Sequence, residues 1–433
     1  MERTKIVTQH YFRLVIASSL VGLASALLAY TLKHLTEYFE HRIFNFADHS
    51  YAAFFFILPS VGITALFFLR KYIFRNRKNK GITEIYKTLD QRKDHLPLFK
   101  IPSHFINGFL TVIFGGSTGV EVSTVVATAT IGNYAYEREF SARMYKRELI
   151  CAGVVAGVAI LFTSPLAGFL FAFEVIARKF RRSLIISCTA SALVSWVFIS
   201  FFDSETILNK TVTGWTYAAI PFFLILSVFG GILSVYFTLL VTRMKKIFGN
   251  ISNNFLRVNL GAVAVGTLLF FFPVLYGDSY HGLREILHEP LAAPTLTMGF
   301  LLLLAVLKPL AASLTLGAGG DGGVFAPSIV AGAFLGLMVA FIGNHYFGMH
   351  LIPLNFALIG AAATLSASLY APLTSVVLIC NLLPGGYILF LPLLICSLIS
   401  AQVAKLLLPY NVYTYDFYLS SRLTAEKIEI HLK

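Results

Sequence analysis

Long apolar runs along the whole chain limit this sequence to a protein that folds in lipid. Eight of them are candidate membrane-spanning helices, at residues 11–35, 51–69, 149–161, 184–202, 218–241, 258–275, 296–316 and 387–408. Only 13% of the 433 residues are charged and 57% are hydrophobic, so a single water-exposed domain could not bury its apolar surface. These proportions exclude an ordinary soluble enzyme, a disordered chain and a nucleic-acid-binding protein, and they indicate the lipid bilayer as a partner.

The net charge of +13 comes largely from basic residues in short segments between apolar runs, at residues 70–80, 138–147, 178–182 and 243–257. Basic loops of this kind lie on the cytoplasmic side of a membrane. With the N-terminus inside, all four segments fall on the same side. The pattern predicts a multi-pass membrane protein with both termini in the cytoplasm, and its expected location is the bacterial inner membrane.

A diverged internal repeat organises the chain. Residues 153–166 match residues 360–373 at an offset of 207, and residues 119–132 match residues 323–336 at an offset of 204. Several apolar stretches are short or interrupted by Gly and Pro, at residues 81–89, 121–134, 165–176, 324–342 and 372–383. Duplicated halves with broken helices are typical of transport proteins that bind a substrate near the bilayer midplane.

Two glycine-rich segments, residues 115–123 and 317–327, lie at equivalent places in the repeat and precede apolar helices. Glycine permits tight turns, and a helix start presents free N–H groups and the positive end of its dipole. Two such starts that meet in the membrane predict a binding site for a small anion. The alternative is a pair of turns that only lets helices pack closely.

Four polar residues in or near apolar runs are candidates for function. Glu121 begins an intramembrane helix, where ionisable residues are costly and usually functional. Its carboxylate could occupy the anion site as a gate that protonation releases, and it could also cap the helix. Glu174 is either functional or a capped or salt-bridged carboxylate. Lys308 could pair with an acid, and the sequence does not decide whether Asp321 belongs to such a pair.

These segments together resemble the CLC family of chloride channels and proton-coupled chloride exchangers, from about residue 11 to residue 422. The resemblance rests on residues 322–327 (GGxFxP), 164–174 (APLAGxLFxxE), 371–374 (its repeat partner), 115–123 (GGSLGxEGP) and 411–414 (the pore-tyrosine segment). The family's gating glutamate falls on Glu121.

The resemblance implies an all-α integral membrane protein, built as an inverted-repeat bundle of spanning and broken helices. One domain would cover residues 1–433, with halves at about 11–203 and 216–422 and no cytoplasmic CBS domain. The expected assembly is a homodimer that needs no cofactor or metal and carries chloride or similar small inorganic anions. The implied anion ligands are the backbone amides of Val122, Val324 and Phe325 and the hydroxyl of Tyr413.

Two departures from the family pattern affect the prediction. Lys80 stands where the anion-coordinating serine usually lies, and it either adds a cation to the anion path or belongs to the basic run. Val175 replaces the internal proton-carrying glutamate of many exchangers, which leaves Glu174 as the proton-pathway candidate. Because valine cannot carry a proton, the sequence predicts a passive chloride channel of the voltage-gated type. The alternatives are a proton-coupled chloride or fluoride exchanger and, remotely, an intramembrane enzyme.

Overall fold

The chain folds almost entirely into helices. The computed structural model describes residues 2–75, 77, 79, 81–90, 96–141, 144–203, 210–288 and 297–420. Within these ranges there are sixteen α-helices: α1 (Glu2–Ser50), α2 (Ala53–Phe68), α3 (Ile82–Asp90), α4 (Lys100–Ile113), α5 (Glu121–Glu137), α6 (Lys146–Leu161), α7 (Pro165–Phe171), α8 (Arg182–Phe202), α9 (Ile220–Gly249), α10 (Asn254–Phe271), α11 (Tyr280–His288), α12 (Met298–Ala318), α13 (Phe325–Phe347), α14 (Pro353–Leu369), α15 (Pro372–Cys380) and α16 (Phe390–Leu407). Two π-helical segments, Leu69–Ile73 and Ala172–Ala177, continue α2 and α7. The all-α fold class is confirmed.

In the described part of the chain, eight helical segments are long and apolar enough to cross a membrane. They are Thr8–Ser50, Ala53–Tyr72, Arg182–Phe202, Tyr217–Gly249, Asn254–Phe271, Met298–Ala318, Phe325–Phe347 and Gly386–Leu407. The multi-pass prediction is therefore confirmed, but two individual assignments were wrong. Helix α6 has only 16 residues, whereas α13 continues unbroken for 23 residues. Its proline, Pro327, lies in the first turn, where a missing N–H costs no helical hydrogen bond.

The repeat reappears in the positions where helices begin. Helices α5 and α13 start 204 residues apart, α6 and α14 start 207 apart, and α7 and α15 also start 207 apart. The structure therefore places matching helices at the offsets that the sequence motifs have. The bounds of the two halves, 11–203 and 216–422, and the single domain stay predictions.

Matching glycines let the central helices approach closely in both halves. A Cβ at Gly132 of α5 would overlap the carbonyl oxygen of Leu149 on α6. At the equivalent place, a Cβ at Gly336 of α13 would overlap the carbonyl oxygen of Phe356 on α14. Small residues at such contacts bring helix backbones together inside membranes. These four helices form the buried centre of the bundle.

The outer helices present apolar side chains to their surroundings. Leu193 and Trp196 of α8 are exposed, as are Ile395 and Leu398 of α16. Soluble proteins rarely expose large contiguous apolar patches, whereas lipid tails are a suitable neighbour for such surfaces. The bundle thus has a buried centre of small and polar residues and an apolar exterior, which positions the site described next inside the membrane.

Candidate functional site

The two glycine-rich segments meet in the buried interior. Gly119 and Gly323 form an antiparallel backbone bridge, and they are 204 residues apart, the offset of the repeat. Antiparallel pairing between repeat equivalents places an approximate two-fold axis between the halves. A helix begins just after each glycine, at Glu121 for α5 and at Phe325 for α13. The positive ends of two helices are therefore close together.

The Glu121 side chain covers the start of α13. It is buried, with 4% of its surface exposed, and its carboxylate folds over Gly119, where any Cβ would overlap it. The backbone N–H groups of Glu121 and Ala326 face this carboxylate. The carboxylate thus lies where an anion could bind, which is the geometry that a gate requires. The gating role itself stays a prediction.

Tyr413 brings a hydroxyl to the same helix start. The hydroxyl faces the backbone N–H of Val324 and lies 3.4 Å from the position of a Cβ built at Gly323. It is buried and forms no hydrogen bond of normal geometry with any described residue. The ring of Phe325 packs beside it, with the ring centroids 6.4 Å apart. Asn411 fixes the turn, because its Oδ1 accepts a hydrogen bond of 3.1 Å from the Tyr413 N–H.

Val122, another anion ligand that the resemblance implies, lies beside the same helix start. Its side chain packs against Gly323, where an added Cβ would overlap it. Its Cγ1 also lies 3.2 Å from the Cβ position at Gly81, a glycine with a φ of 62°. The structure thus brings the α5 start, the α13 start and the turn before α3 together. Lys80, the other predicted anion ligand, lies outside the described residues.

Glu174 binds the start of a helix from the other half. Its carboxylate accepts hydrogen bonds from the N–H groups of Leu373 (3.2 Å) and Thr374 (2.7 Å), and from the Thr374 hydroxyl (2.7 Å). Helix α7 is capped by its own Ser164, whose hydroxyl accepts from the backbone. The equivalent residue before α15 is Ala371, which has no side-chain acceptor. Glu174 therefore supplies the cap that α15 lacks.

The proposed proton route has no carboxyl at its usual inner position. Val175 is 2% exposed and belongs to the main hydrophobic core. The adjacent carboxyl of Glu174 lies in the π-helical segment Ala172–Ala177 and is engaged with α15. Glu174 thus caps α15, while its role as a proton carrier stays a prediction.

A polar cavity of about 790 Å³ leads to Glu121. Its acidic lining residues are Glu37, Glu40, Asp203 and Asp278, its basic ones Lys33, Arg42 and Arg284, and its histidines His34, His41 and His281. Most of these residues come from the second half of α1 and from the segment around α11. Sequence reasoning missed this cavity, because nothing in either segment indicates that the two meet.

Lys308 and Asp321 do not pair with each other. Asp321 Oδ2 lies 3.1 Å from Nδ1 of His104 and 3.9 Å from a guanidinium nitrogen of Arg70. The Lys308 ammonium instead binds neutral oxygens, beginning with the Ser117 hydroxyl at 2.8 Å. A sequence signal for both existed, since His104 and Lys308 are 204 residues apart, as are Ser117 and Asp321.

Comparison with known proteins gives consistent results. The profile described as "Voltage gated chloride channel" matches residues 61–405. The H(+)/Cl(-) exchange transporter ClcA of Yersinia pestis bv. Antiqua (strain Angola) is 25% identical over 410 residues, which cover 90% of this chain and 84% of that protein. ClcA of Vibrio cholerae serotype O1 (strain M66-2) is 27% identical over 351 residues, covering 77% and 72% respectively.

Two solved structures share the fold. A slow cyanobacterial Cl-/H+ antiporter aligns with a TM-score of 0.79 and 22% identity, covering 95% of this chain and 98% of that one. A CLC-type fluoride/proton antiporter aligns with a TM-score of 0.76 and 21% identity, covering 92% and 96%. At these identities the two structures establish the fold of this chain and do not identify the ion that it transports.

Proposed function

The chain belongs to the CLC family of membrane transport proteins, and on that premise we propose that it exchanges chloride for protons. It is a transporter and not an enzyme, and the family's chemistry needs no cofactor. The observation that carries the proposal is the Glu121 carboxylate, which faces the N–H group of Ala326 at the start of α13. An anion and this carboxylate compete for the same donors.

Protonation of Glu121 changes that competition. The ionised carboxylate is attracted by the positive end of α13, whereas the neutral acid loses most of this attraction. A chloride ion then binds the N–H groups of Val324 and Phe325 and the Tyr413 hydroxyl. These donors hold an anion without a fixed ion pair, so the anion can leave again. Proton binding and anion binding are thereby linked at one carboxyl.

Coupled exchange is favoured over the passive conduction that Val175 suggested. The two curated relatives are named as H(+)/Cl(-) exchange transporters and cover most of the chain. The test is purified protein in liposomes under a chloride gradient, with external pH recorded. We expect protons to move in the direction opposite to chloride, at a fixed ratio. Glu121→Gln should abolish the proton movement while chloride still passes. Chloride efflux without proton movement would instead support the passive channel.

Fluoride is the second candidate substrate, because one structural neighbour is titled a fluoride/proton antiporter. The same liposomes, loaded with potassium chloride or potassium fluoride, separate the two with ion-selective electrodes. We expect chloride efflux to exceed fluoride efflux. Preferential fluoride efflux would reassign the substrate and leave the role of Glu121 intact.

We infer a homodimer in a bacterial inner membrane with both termini in the cytoplasm. Helices α7 and α15 have only 7 and 9 residues and cannot span a bilayer alone. Each of them exposes a leucine at the equivalent position of the repeat, Leu166 and Leu373. A second copy packed there would cover both short helices. Light scattering of the detergent-solubilised protein tests this, and Leu166→Trp is expected to favour the monomer.

A further inference from the structure

Lys308 is a fully buried lysine that the transport cycle described above does not use. It lies on α12 with none of its surface exposed. Its Nζ donates hydrogen bonds to the Ser117 hydroxyl (2.8 Å), the Gly277 carbonyl (2.9 Å) and the Ser279 hydroxyl (2.7 Å). Ser117 lies in the first glycine-rich segment, four residues before Glu121. Lys308 therefore ties the loop of the gate to the loop before α11.

The hydrogen bonds around Lys308 favour its charged form. The hydroxyl proton of Ser117 is donated to the Leu275 carbonyl (2.8 Å), and that of Ser279 to the Tyr276 carbonyl (3.1 Å). A carbonyl oxygen can only accept. All three oxygens near Nζ must therefore accept from it, and three N–H donors exist only in the ammonium form. The side chain is a positive charge inside the protein.

This charge has no direct acidic partner among the described residues. The ion pairs of the described chain do not include Lys308. The carboxyls that act on it through space are Asp278, Glu40 and Glu121. Burial raises the pKa of Asp278, which makes that loop residue a weaker counter-charge. A buried cation without a paired anion is costly, so a negative charge that comes close to it is stabilising.

We propose that Lys308 is the fixed positive charge that balances a negative charge in the outer half of the pathway, either the ionised Glu121 side chain or the transported anion. The ammonium holds the Ser117 loop from behind while its field reaches the Glu121 carboxylate. Lys308 is thus a positioning residue that also sets the electrostatics of the gate. The proposal rests on Glu121 being the gate.

The effect on pH dependence has a definite sign. An opposite charge stabilises an ionised carboxylate, so loss of the ammonium makes Glu121 easier to protonate. Acid-activated flux should therefore begin at higher pH when the charge is removed. Other ionisable groups near Lys308 or around the adjoining cavity also contribute to the profile and stay unchanged in the test: Lys33, His34, Glu37, Glu40, His41, Arg42, Asp203, Asp278, His281 and Arg284.

The experiment compares Lys308→Met with Lys308→Arg. Chloride affinity is measured by calorimetry on purified protein, and chloride flux against pH is measured in liposomes. We expect Lys308→Met to weaken chloride binding about tenfold and to raise the pH of half-maximal flux by about one unit. Lys308→Arg keeps the charge, so its chloride affinity should be within about twofold of that of the parent protein. Its pH of half-maximal flux should be within about a few tenths of a unit of the parent value. Parent-like values in Lys308→Met would overturn the proposal.

A matched pair at Ser279 keeps the proposal testable if Lys308→Met does not fold. Ser279 has a φ of 66°, and both Asp and Asn tolerate this left-handed conformation. Ser279→Asp places a carboxylate against the ammonium and should shift the pH profile as Lys308→Met does, whereas Ser279→Asn should not. Identical profiles for the two variants would contradict the charge role. Because chloride affinity is an equilibrium quantity, it reports on Lys308 even if the parent protein moves no protons.

Discussion

The loop that precedes Glu121, the proposed gate, and its repeat equivalent share one backbone frame but differ in charge. The Ser117 N–H donates to the hydroxyl of Thr315 at 3.1 Å, and the Asp321 N–H donates to the hydroxyl of Thr111 at 3.0 Å. Each loop residue and each threonine is 204 residues from its equivalent. In each half, a threonine hydroxyl thus accepts a hydrogen bond from a loop N–H of the other half.

The side chains beside these bonds break the symmetry. Lys308 next to Ser117 binds only neutral oxygens, whereas its equivalent, His104, lies 3.1 Å from the Asp321 carboxylate. Glu84 and Arg70 extend that second cluster, 4.0 Å from His104 and 3.9 Å from Asp321. A duplicated frame can therefore carry an uncompensated positive charge at one loop and a compensated cluster at the other. The two loops share their backbone frame, and they differ in the charged side chains beside it.

The largest expected effect concerns Glu121, the proposed gate, which has no titratable equivalent in the other half. The repeat equivalent of Glu121 is Phe325, which cannot titrate. Glu121→Gln should remove most of the pH dependence of anion flux, because the Glu121 carboxylate is the group that faces the Ala326 N–H at the start of α13. Flux from liposomes at several pH values measures it. A pH profile like that of the parent would show that the gate lies elsewhere.

The next effect compares the two loops by stability. Asp321→Asn removes a buried carboxylate that lies beside His104 and the partly exposed Arg70 guanidinium, which we expect to cost about 3 kcal/mol. Ser117→Ala removes one acceptor of the buried Lys308 ammonium and should cost about 1.5–3 kcal/mol, less than the loss of Asp321. Chemical unfolding of both variants in the same detergent gives the comparison. Equal losses would mean that the charge asymmetry has no energetic consequence.

A third pair tests the symmetric part of the comparison. Gly132→Ala and Gly336→Ala each force a Cβ against a carbonyl oxygen of the neighbouring helix. Overpacking of this kind costs about 1–3 kcal/mol, and the two losses should be similar because the packing is equivalent. Their unfolding midpoints, measured side by side, report this. A loss confined to one half would show that the halves are packed differently.

The smallest effect separates the two roles of Glu174. Glu174→Gln weakens the cap of α15 and should cost about 1 kcal/mol. Adding Ala371→Ser supplies a local cap, as Ser164 does for α7, and should recover most of that loss. If Glu174 is only a cap, proton coupling stays at the parent ratio in both variants. Loss of coupling in the capped double variant would assign it to the proton route after all.

Much of the architecture could be predicted because the repeat appears in the sequence itself. The motif offsets match the helix starts. Glu121 could be singled out as a candidate because a carboxyl at an intramembrane helix start is costly and usually functional. The partners of Glu174 and Lys308 could not be predicted, since Thr374 is 200 residues from Glu174 and Ser117 is 191 from Lys308. His104 was missed because its equivalent is a lysine, so residue identity concealed the shared position.

The hydroxyl of Tyr413 reaches the proposed anion site from beyond α16, which ends at Leu407. The site also needs the turn near residue 81 and the helix that starts at residue 325. During synthesis residue 81 leaves the ribosome first, residue 325 follows, and Tyr413 comes after both. A chain in the membrane that has not yet reached residue 413 therefore lacks one of the proposed anion ligands. The proposed pathway is complete only once the segment after α16 has been synthesised.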